Sequence, residues 1–260
     1  MTNLERLRRI MVELRDPQRG CPWDREQDWA SIAPHTIEEA YELADAIGRD
    51  DADAVRDELG DVLFQVVFQA RIAEERGLFD FEQVAGAIAD KLERRHPHVF
   101  GDAKIEGAAA QSRAWEQHKR AERAARGQGT GALDGVTLGL PALTRATKLG
   151  ARAAKVGFDW TDADGVLDKV QEEVAELRAE LAARQPEAAR EELGDLLFAL
   201  SQAARHLGID AEAALRDANA KFERRFRHVE ALLAERGQTP DEVDMARLEE
   251  LWGQAKRELG

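Results

Sequence analysis

Apolar residues recur along most of the chain with the spacing of helices that bury one face. Residues 59–67 carry leucine or valine in an i, i+3, i+4, i+7, i+8 pattern, and residues 193–200 repeat much of it. Proline falls at positions 34, 97, 141, 186 and 240, which we take as points near helix breaks. Together these signals predict helices at about 2–15, 35–48, 52–76, 81–96, 111–125, 141–154, 162–184, 187–207, 210–236 and 244–258.

The predicted fold class is all-α, built from two related helical-bundle repeats. Alanine, leucine, glutamate and arginine dominate the sequence, and all four are strong helix formers. Long alternating runs of Val, Ile and Thr are absent from the sequence, so no sheet is predicted. Residues 127–139, GQGTGALDGVTLG, contain five glycines and predict a linker. The expected domains are therefore an N-terminal repeat at 1–126 and a C-terminal repeat at 140–260.

The two repeats share four blocks of sequence in the same order. EEAYE at 38–42 matches EEVAE at 172–176, and ELGDVLF at 58–64 matches ELGDLLF at 192–198, both with an offset of 134 residues. KLERRHPHV at 91–99 matches KFERRFRHV at 221–229, and Trp115 with Lys119 matches Trp252 with Lys256. Four matched blocks indicate duplication, and two copies are too few for a solenoid.

Pairs of acidic residues are the main candidates for chemistry. Glu39 and Glu42 share one helix face, as do Glu58 and Asp61 on the next long helix. The short connection around residues 49–51 predicts that these helices are antiparallel neighbours, so the four carboxylates should converge. The second half repeats this arrangement with Glu173, Glu176, Glu192 and Asp195.

Crowded carboxylates repel one another unless a cation or protons offset their charge. Oxygen ligands without histidine or cysteine favour Mg²⁺ or Mn²⁺, and Mg²⁺ commonly takes its remaining ligands from water and phosphates. The alternative is a solvated acidic helix face, which is the default for surface acids. Asp61 and Asp195 argue against it because each follows a glycine within an apolar stripe. Gly60 and Gly194 would suit a close approach of another backbone or a ligand.

Composition limits the partners of the chain. The 260 residues carry a net charge of −14, which opposes binding of a nucleic acid polymer but not of a mononucleotide with divalent cations. Cys21 is the single cysteine, and the sequence has no apolar run long enough for a membrane span and no secretion signal. We therefore expect a cytoplasmic protein without membrane contact.

Basic and aromatic residues near the C-terminus are candidates to hold a nucleotide. Lys221, Arg224 and Arg225 lie on one helix turn, and arginine suits bidentate contact with phosphate. Trp252 precedes Lys256 by one helical turn, so both can face one site, where the indole would stack on a base. The alternatives are solvent-exposed charges and ordinary core packing of the tryptophan.

With these residues in view, the sequence resembles the MazG family of nucleoside triphosphate pyrophosphohydrolases in its long, two-repeat form. Besides the two acidic blocks, the resemblance rests on CPWDREQ at 21–27, KVGFDW at 155–160 and KFERRF at 221–226, and it covers essentially the whole chain. It implies a four-helix-bundle catalytic unit that forms a homodimer, with nucleoside triphosphates as substrates and hydrolysis between the α- and β-phosphates.

The resemblance also implies roles for individual residues of the C-terminal repeat. Glu173, Glu176, Glu192 and Asp195 are expected to bind Mg²⁺, and Lys169, Lys221, Arg225, Trp252 and Lys256 match positions that hold the nucleotide. The C-terminal repeat is expected to be the main catalytic unit. Two departures argue against N-terminal activity: Gln-Asp-Trp at 27–29 replaces the usual Gln-Thr-His, and Pro97 ends the Lys91 helix early.

The expected mechanism is attack on the triphosphate by a water that the metal activates. Glu172, next to Glu173, is a candidate to orient or deprotonate that water, or else an outward-facing charge. One alternative is a di-iron carboxylate bundle, whose Glu-x-x-His motif is present at 93–96 but lacks its histidine at 223–226. The other is a helical dimerisation module that senses nucleotides without hydrolysing them.

Overall fold

All regular structure in the described part of the chain is helical, which confirms the all-α fold class. The computed structural model describes residues 1–101, 107 and 131–260, and no strand occurs among them. The first unit, Met1–His118, contains α1 (Asn3–Leu14), α2 (Pro22–Glu26), α3 (Trp29–Gly48), α4 (Ala52–Glu75), α5 (Phe81–Arg95) and α6 (Pro97–Phe100). The second, Lys119–Gly260, contains α7 (Ala142–Ala154), α8 (Ala163–Ala183), α9 (Pro186–His206), α10 (Ala211–Ala234), a 3₁₀ turn (Pro240–Glu242) and α11 (Met245–Leu259).

Polar N-caps begin most of these helices. The side chain of an aspartate accepts a hydrogen bond from the backbone N–H three residues later at Asp28, Asp51, Asp80, Asp162, Asp210 and Asp244. Eight of the ten predicted helices have both ends within two residues of the prediction. The predicted helix at 111–125 lies outside the described residues. The predicted linker at 127–139 also lies partly outside the described residues, so it stays a prediction.

The predicted start of α3 is wrong. The helix begins at Trp29 rather than near residue 35, and Pro34 lies inside it rather than at a break. Asp28 and Ser31 form a reciprocal capping box that starts the helix two turns earlier. Pro34 is tolerated close to the N-terminus of α3, where its missing N–H removes only the bond to the carbonyl of Ala30.

The core of the first unit lies between α1, α3 and α4. Its buried residues are Met11, Ile32, Val67, Phe68 and Ile72, with Leu7, Leu14, Trp29, Phe64 and Phe81 packed around them. Helices α3 and α4 form a tight antiparallel hairpin, in which Asp50 adopts a left-handed φ of 55° and Asp51 caps α4. This short connection keeps the acidic face of each helix opposite the other.

The second unit repeats the hairpin with α8 and α9. Arg184, at a φ of 57°, and Gln185 connect the two helices. Helix α7 packs closely on α9 at Gly150. A Cβ added at Gly150 would overlap the amide of Gln202, lying 2.9 Å from its Nε2 atom and still closer to its Oε1 atom. A separate cluster of Val229, Leu233, Leu251 and Ala255 joins α10 to α11.

No helix in the described ranges is both long enough and apolar enough to cross a lipid bilayer. The finding agrees with the sequence, in which charged residues make up 34 % of the positions.

Candidate metal and nucleotide site

The α8–α9 hairpin brings three of the four predicted carboxylates of the second unit together. Glu173 and Glu176, one turn apart on α8, and Glu192 on α9 each place a carboxylate oxygen within 4.8 Å of the others. Glu173 is buried, with 4 % of its surface exposed, whereas Glu176 is exposed. Asp195 lies one turn after Glu192 at an exposed position and outside this close group.

The α3–α4 hairpin gathers a similar set in the first unit. Glu39 on α3 lies within the same 4.8 Å limit of Glu58 and Asp61 on α4. Glu42 is exposed and falls outside the close group. Each unit therefore has a cluster of three carboxylates between paired helices, but the acid left outside differs. In the first unit it is the second acid of α3, and in the second unit it is the aspartate of α9.

Burial and crowding raise the pKa of one glutamate in each cluster. Burial and then the charges of Asp61, Glu42 and Glu58 raise the pKa of Glu39 above its usual range. Burial followed by the charges of Glu176 and Glu173 likewise raises the pKa of Glu192, to which a hydrogen bond with Glu173 also contributes. In each cluster the neighbouring carboxylates repel one another, and a bound cation would relieve this repulsion.

A lysine contacts the C-terminal cluster directly. The Nζ atom of Lys169 on α8 is 2.8 Å from Oε1 of Glu172 and 2.8 Å from Oε1 of Glu173. These contacts raise the pKa of Lys169, with Glu172 as the larger cause. Glu172 is exposed and forms no part of the three-carboxylate group. The structure therefore places Lys169 and Glu172 beside the proposed metal ligands, in contact with each other.

The other predicted nucleotide-binding residues form a separate group on α10 and α11. Trp252 contacts Phe222, with ring centroids 5.2 Å apart, and the ammonium of Lys256 lies 5.9 Å from the centre of the indole ring. Arg225 donates to the backbone oxygen of Gly260 at 2.7 Å. Lys221 and Arg224 are exposed on α10. Within residues 131–260, no hydrogen bond or ion pair joins this group to the carboxylates of α8 and α9.

Gly60 and Gly194 do not have the close neighbour that the sequence suggested. Apart from the adjacent residues and the nearby backbone of the same helix, no described atom lies within 4 Å of a Cβ built at either position. Packing within the chain therefore does not explain these two glycines.

The sequence reasoning missed Phe222 and Asp159. Phe222 stacks on Phe226 one turn away, with centroids 6.0 Å apart, and its helical spacing could have marked it as a neighbour of the nucleotide group. Asp159 in the KVGFDW segment binds Arg205 and His206 at the end of α9. No spacing pattern links positions so far apart in sequence.

The fold and the site define a class: all-α proteins in which antiparallel helix pairs present clustered carboxylates suited to a hard cation. A sequence model of the MazG nucleotide pyrophosphohydrolase domain matches residues 27–100 and 163–230, which contain the two hairpins and both clusters. The chain belongs to the MazG family.

Relatives from several bacteria extend the similarity beyond the matched domain. A protein of Escherichia coli K12 named nucleoside triphosphate pyrophosphohydrolase is 53 % identical over 260 residues, covering 99 % of this chain and 98 % of the relative. A Thermotoga maritima protein named nucleoside triphosphate pyrophosphohydrolase/pyrophosphatase MazG is 42 % identical over 97 % and 95 % of the two chains. A Mycobacterium tuberculosis nucleoside triphosphate pyrophosphohydrolase is 40 % identical over 53 % and 41 %.

Proposed function

We propose that the protein hydrolyses nucleoside triphosphates to nucleoside monophosphates and pyrophosphate in a Mg²⁺-dependent reaction. The observation that carries this proposal is the close group of Glu173, Glu176 and Glu192 in the domain shared with relatives named for that activity. The names of the E. coli and T. maritima relatives, which align over nearly their whole length, support the substrate class.

The donor set fits Mg²⁺ or Mn²⁺. Carboxylate oxygens converge from two helices, and neither close group contains histidine or cysteine, which argues against zinc and against a di-iron centre that uses His96. Glu173, Glu176 and Glu192 would hold the cation, with Asp195 one turn from Glu192 as a fourth ligand. When bound, the ion supplies charge neutralisation and polarises the phosphate and the attacking water.

Residues of the chain supply the rest of the chemistry. Glu172 borders the cluster and accepts a hydrogen bond from Lys169. Once that lysine moves, the Glu172 carboxylate would orient or deprotonate a water. Lys169, Lys221, Arg224, Arg225 and Lys256 would bind the phosphates. Trp252, already packed against Phe222, would stack on the base.

A homodimer is part of the proposal. Leucines at 193, 197 and 200 on α9 are each close to half exposed, and Leu181 on α8 is 63 % exposed. A run of half-exposed leucines on a helix pair is the surface that a second copy would cover, as in a four-helix bundle. A cytoplasmic location suits the single free thiol, Cys21, and a nucleoside triphosphate substrate.

Product analysis tests the function. The protein is incubated with ATP and Mg²⁺ in ¹⁸O-labelled water, and the products are separated by ion-exchange chromatography and weighed by mass spectrometry. We expect AMP and pyrophosphate, with one ¹⁸O atom incorporated either into the AMP or into the pyrophosphate. ADP with phosphate would contradict the proposal, and binding of ATP without turnover would favour the nucleotide-sensing module.

A matched pair of variants ties the activity to the cluster. Glu192→Gln should reduce turnover to near background, because the carboxylate charge is lost from the ligand group. Glu191→Gln removes the same charge from an exposed neighbour on α9 that points about 100° away around the helix, and it should retain activity. Equal losses of turnover in the two variants would show that Glu192 has no specific role in the site.

A further inference from the structure

The carboxylate of Glu173 already forms an ion pair with a side chain of the protein. The ammonium of Lys169 lies 2.8 Å from one of its carboxylate oxygens, and the same ammonium bridges to Glu172. The side chain of Glu173 is only 6 % exposed and that of Lys169 is 35 % exposed, so the contact is shielded on the glutamate side. Shielding strengthens an ion pair relative to one in open solvent.

Glu173 also connects the lysine to the rest of the cluster. One of its carboxylate oxygens lies within 4.8 Å of carboxylate oxygens of Glu176 and Glu192. The ammonium of Lys169 is therefore in direct contact with one of the proposed metal ligands.

We propose that Lys169 is a tethered competitor of the metal ion: it neutralises Glu173 in the metal-free protein and is released to the triphosphate when the metal binds. This inference rests on the proposed function, because it assumes that the cluster binds a divalent cation and that the substrate carries phosphates.

The exchange couples the binding of metal to the binding of nucleotide. A divalent cation brought to Glu173 repels the ammonium at short range and takes over neutralisation of the carboxylate. The freed ammonium is a donor on a flexible four-carbon stem, able to reach a phosphate oxygen nearby. Metal binding thus prepares the phosphate site, and by thermodynamic linkage phosphate binding to Lys169 strengthens metal binding by the same factor.

The first unit has the acids, but the position that matches Lys169 is not a lysine. The position that matches Lys169 is His35, whose Nδ1 lies 3.5 Å from Oε2 of Glu38, the counterpart of Glu172. Imidazole carries a charge only when it is protonated, and its contact is with Glu38 rather than with Glu39 of the cluster. The exchange is therefore a property of the C-terminal repeat.

Metal binding without nucleotide is the direct test. Mn²⁺ affinity is measured by electron paramagnetic resonance on the full chain, in a Glu39→Gln/Glu58→Gln background that confines binding to the C-terminal cluster. Lys169→Gln should bind Mn²⁺ about three- to tenfold more tightly, because the internal competitor is gone. Lys169→Arg keeps the charge and should stay close to the parent protein.

A charge-matched control separates competition from a general change in potential. Arg178→Gln removes one positive charge from an exposed position on the opposite side of α8 and should leave Mn²⁺ affinity nearly unchanged. In the same Glu39→Gln/Glu58→Gln background, Lys169→Gln should weaken the binding of α,β-methylene-ATP at a fixed concentration of free Mg²⁺. Tighter metal binding together with weaker nucleotide binding is a combination that a merely structural role would not produce.

Unchanged or weaker Mn²⁺ binding in Lys169→Gln would overturn the inference, as would equal tightening in Arg178→Gln. Absence of Mn²⁺ binding in every variant, the parent included, would overturn it as well. Failure of the proposed function shows separately, since the unmodified protein would then release no AMP and pyrophosphate from ATP. Circular dichroism on each variant checks that α8 is intact.

Discussion

At the scale of single residues, Asp159 links two segments of the second unit. The segment after α7 carries Asp159, whose carboxylate accepts a hydrogen bond from Arg205 at 3.0 Å and lies 3.1 Å from Nε2 of His206. The ring of His206 also meets the edge of Trp160, with centroids 6.5 Å apart. These contacts fix the KVGFDW segment to the C-terminal end of α9, within the hairpin that carries the proposed metal ligands.

The ionisation of Asp159 should contribute to the stability of the fold. Hydrogen bonds from Arg205, and to a lesser extent from His206, lower the pKa of Asp159 from 3.8 to about 2. Because the folded-state pKa is lowered, this contribution is fully present above pH 3.8 and disappears as the pH falls towards 2. Asp159→Asn should lower the free energy of unfolding by about 1–2 kcal/mol at pH 7.

Urea denaturation at pH 7 and again at pH 3 measures this effect. The difference between the parent and Asp159→Asn should shrink at the lower pH, where part of the native advantage is lost. Asp217→Asn, at an exposed position of α10, is the charge-matched control and should change little. A difference that stays constant with pH would point to loss of packing rather than of charge.

At the scale of helices, α7 packs against α9 without room for a side chain at Gly150. Gly150 is buried, and Gln202, which is fully buried, fills the space above it and donates to the carbonyl of Ala146 at 2.9 Å. Arg205 donates to the other end of the same amide at 2.9 Å. Both ends of the Gln202 amide are therefore hydrogen-bonded, and a change of rotamer would break these bonds.

Gly150→Ala should be destabilising by about 1–3 kcal/mol, because its Cβ would overlap the fixed amide of Gln202. Gly86→Ala in α5 is the matched control, since no described atom beyond the adjacent residues and the nearby backbone of α5 lies within 4 Å of the added methyl group there. That variant should gain about 0.5–1 kcal/mol from the higher helix propensity of alanine. Thermal melts followed by circular dichroism measure both, and a stabilising Gly150→Ala would contradict the packing of α7 on α9.

Local features of helices could be predicted from the sequence, and contacts between distant segments could not. Apolar spacing acts within a few residues, so it located most helices. Pro34 misled the prediction of α3, because the capping box of Asp28 and Ser31 before it was missed. The acid pairs were found for the same reason, being three residues apart on helices joined by a short turn. Gly150 and Gln202 are 52 positions apart, and no periodicity marks such a pair.

At the scale of the whole molecule, the duplication has produced two clusters in different surroundings. Helix α10 continues past Arg225 to Ala234, whereas its counterpart α5 ends at Arg95, before Pro97. The C-terminal cluster also has Lys169 where the N-terminal repeat has His35. A site that must hold a triphosphate needs rigidly placed donors, so we expect the C-terminal cluster to carry most of the turnover.

Two double variants test this inequality. Glu192→Gln/Asp195→Asn should abolish pyrophosphate release at saturating Mg²⁺, and Glu58→Gln/Asp61→Asn should leave most of it. Both remove the same charges from matched positions, so each is the control for the other. The reverse pattern would assign catalysis to the N-terminal cluster.

The exposed leucines of α9 predict the behaviour of the protein in solution. Leu197→Glu should shift the mass measured by light scattering from dimer towards monomer, because a buried charge would oppose association. Leu78→Glu, at an equally exposed leucine of the first unit, is the control and should leave the mass unchanged. A parent protein that is already monomeric at micromolar concentration would contradict the dimer.

The tight turns between α3 and α4 and between α8 and α9 also bear on how the chain reaches its native state. Partners in each hairpin are separated by only two or three connecting residues, so pairing costs little loop entropy. Structures dominated by such local contacts belong to the fast end of the range of folding rates. During synthesis, the first hairpin should therefore form while the ribosome is still translating the second repeat.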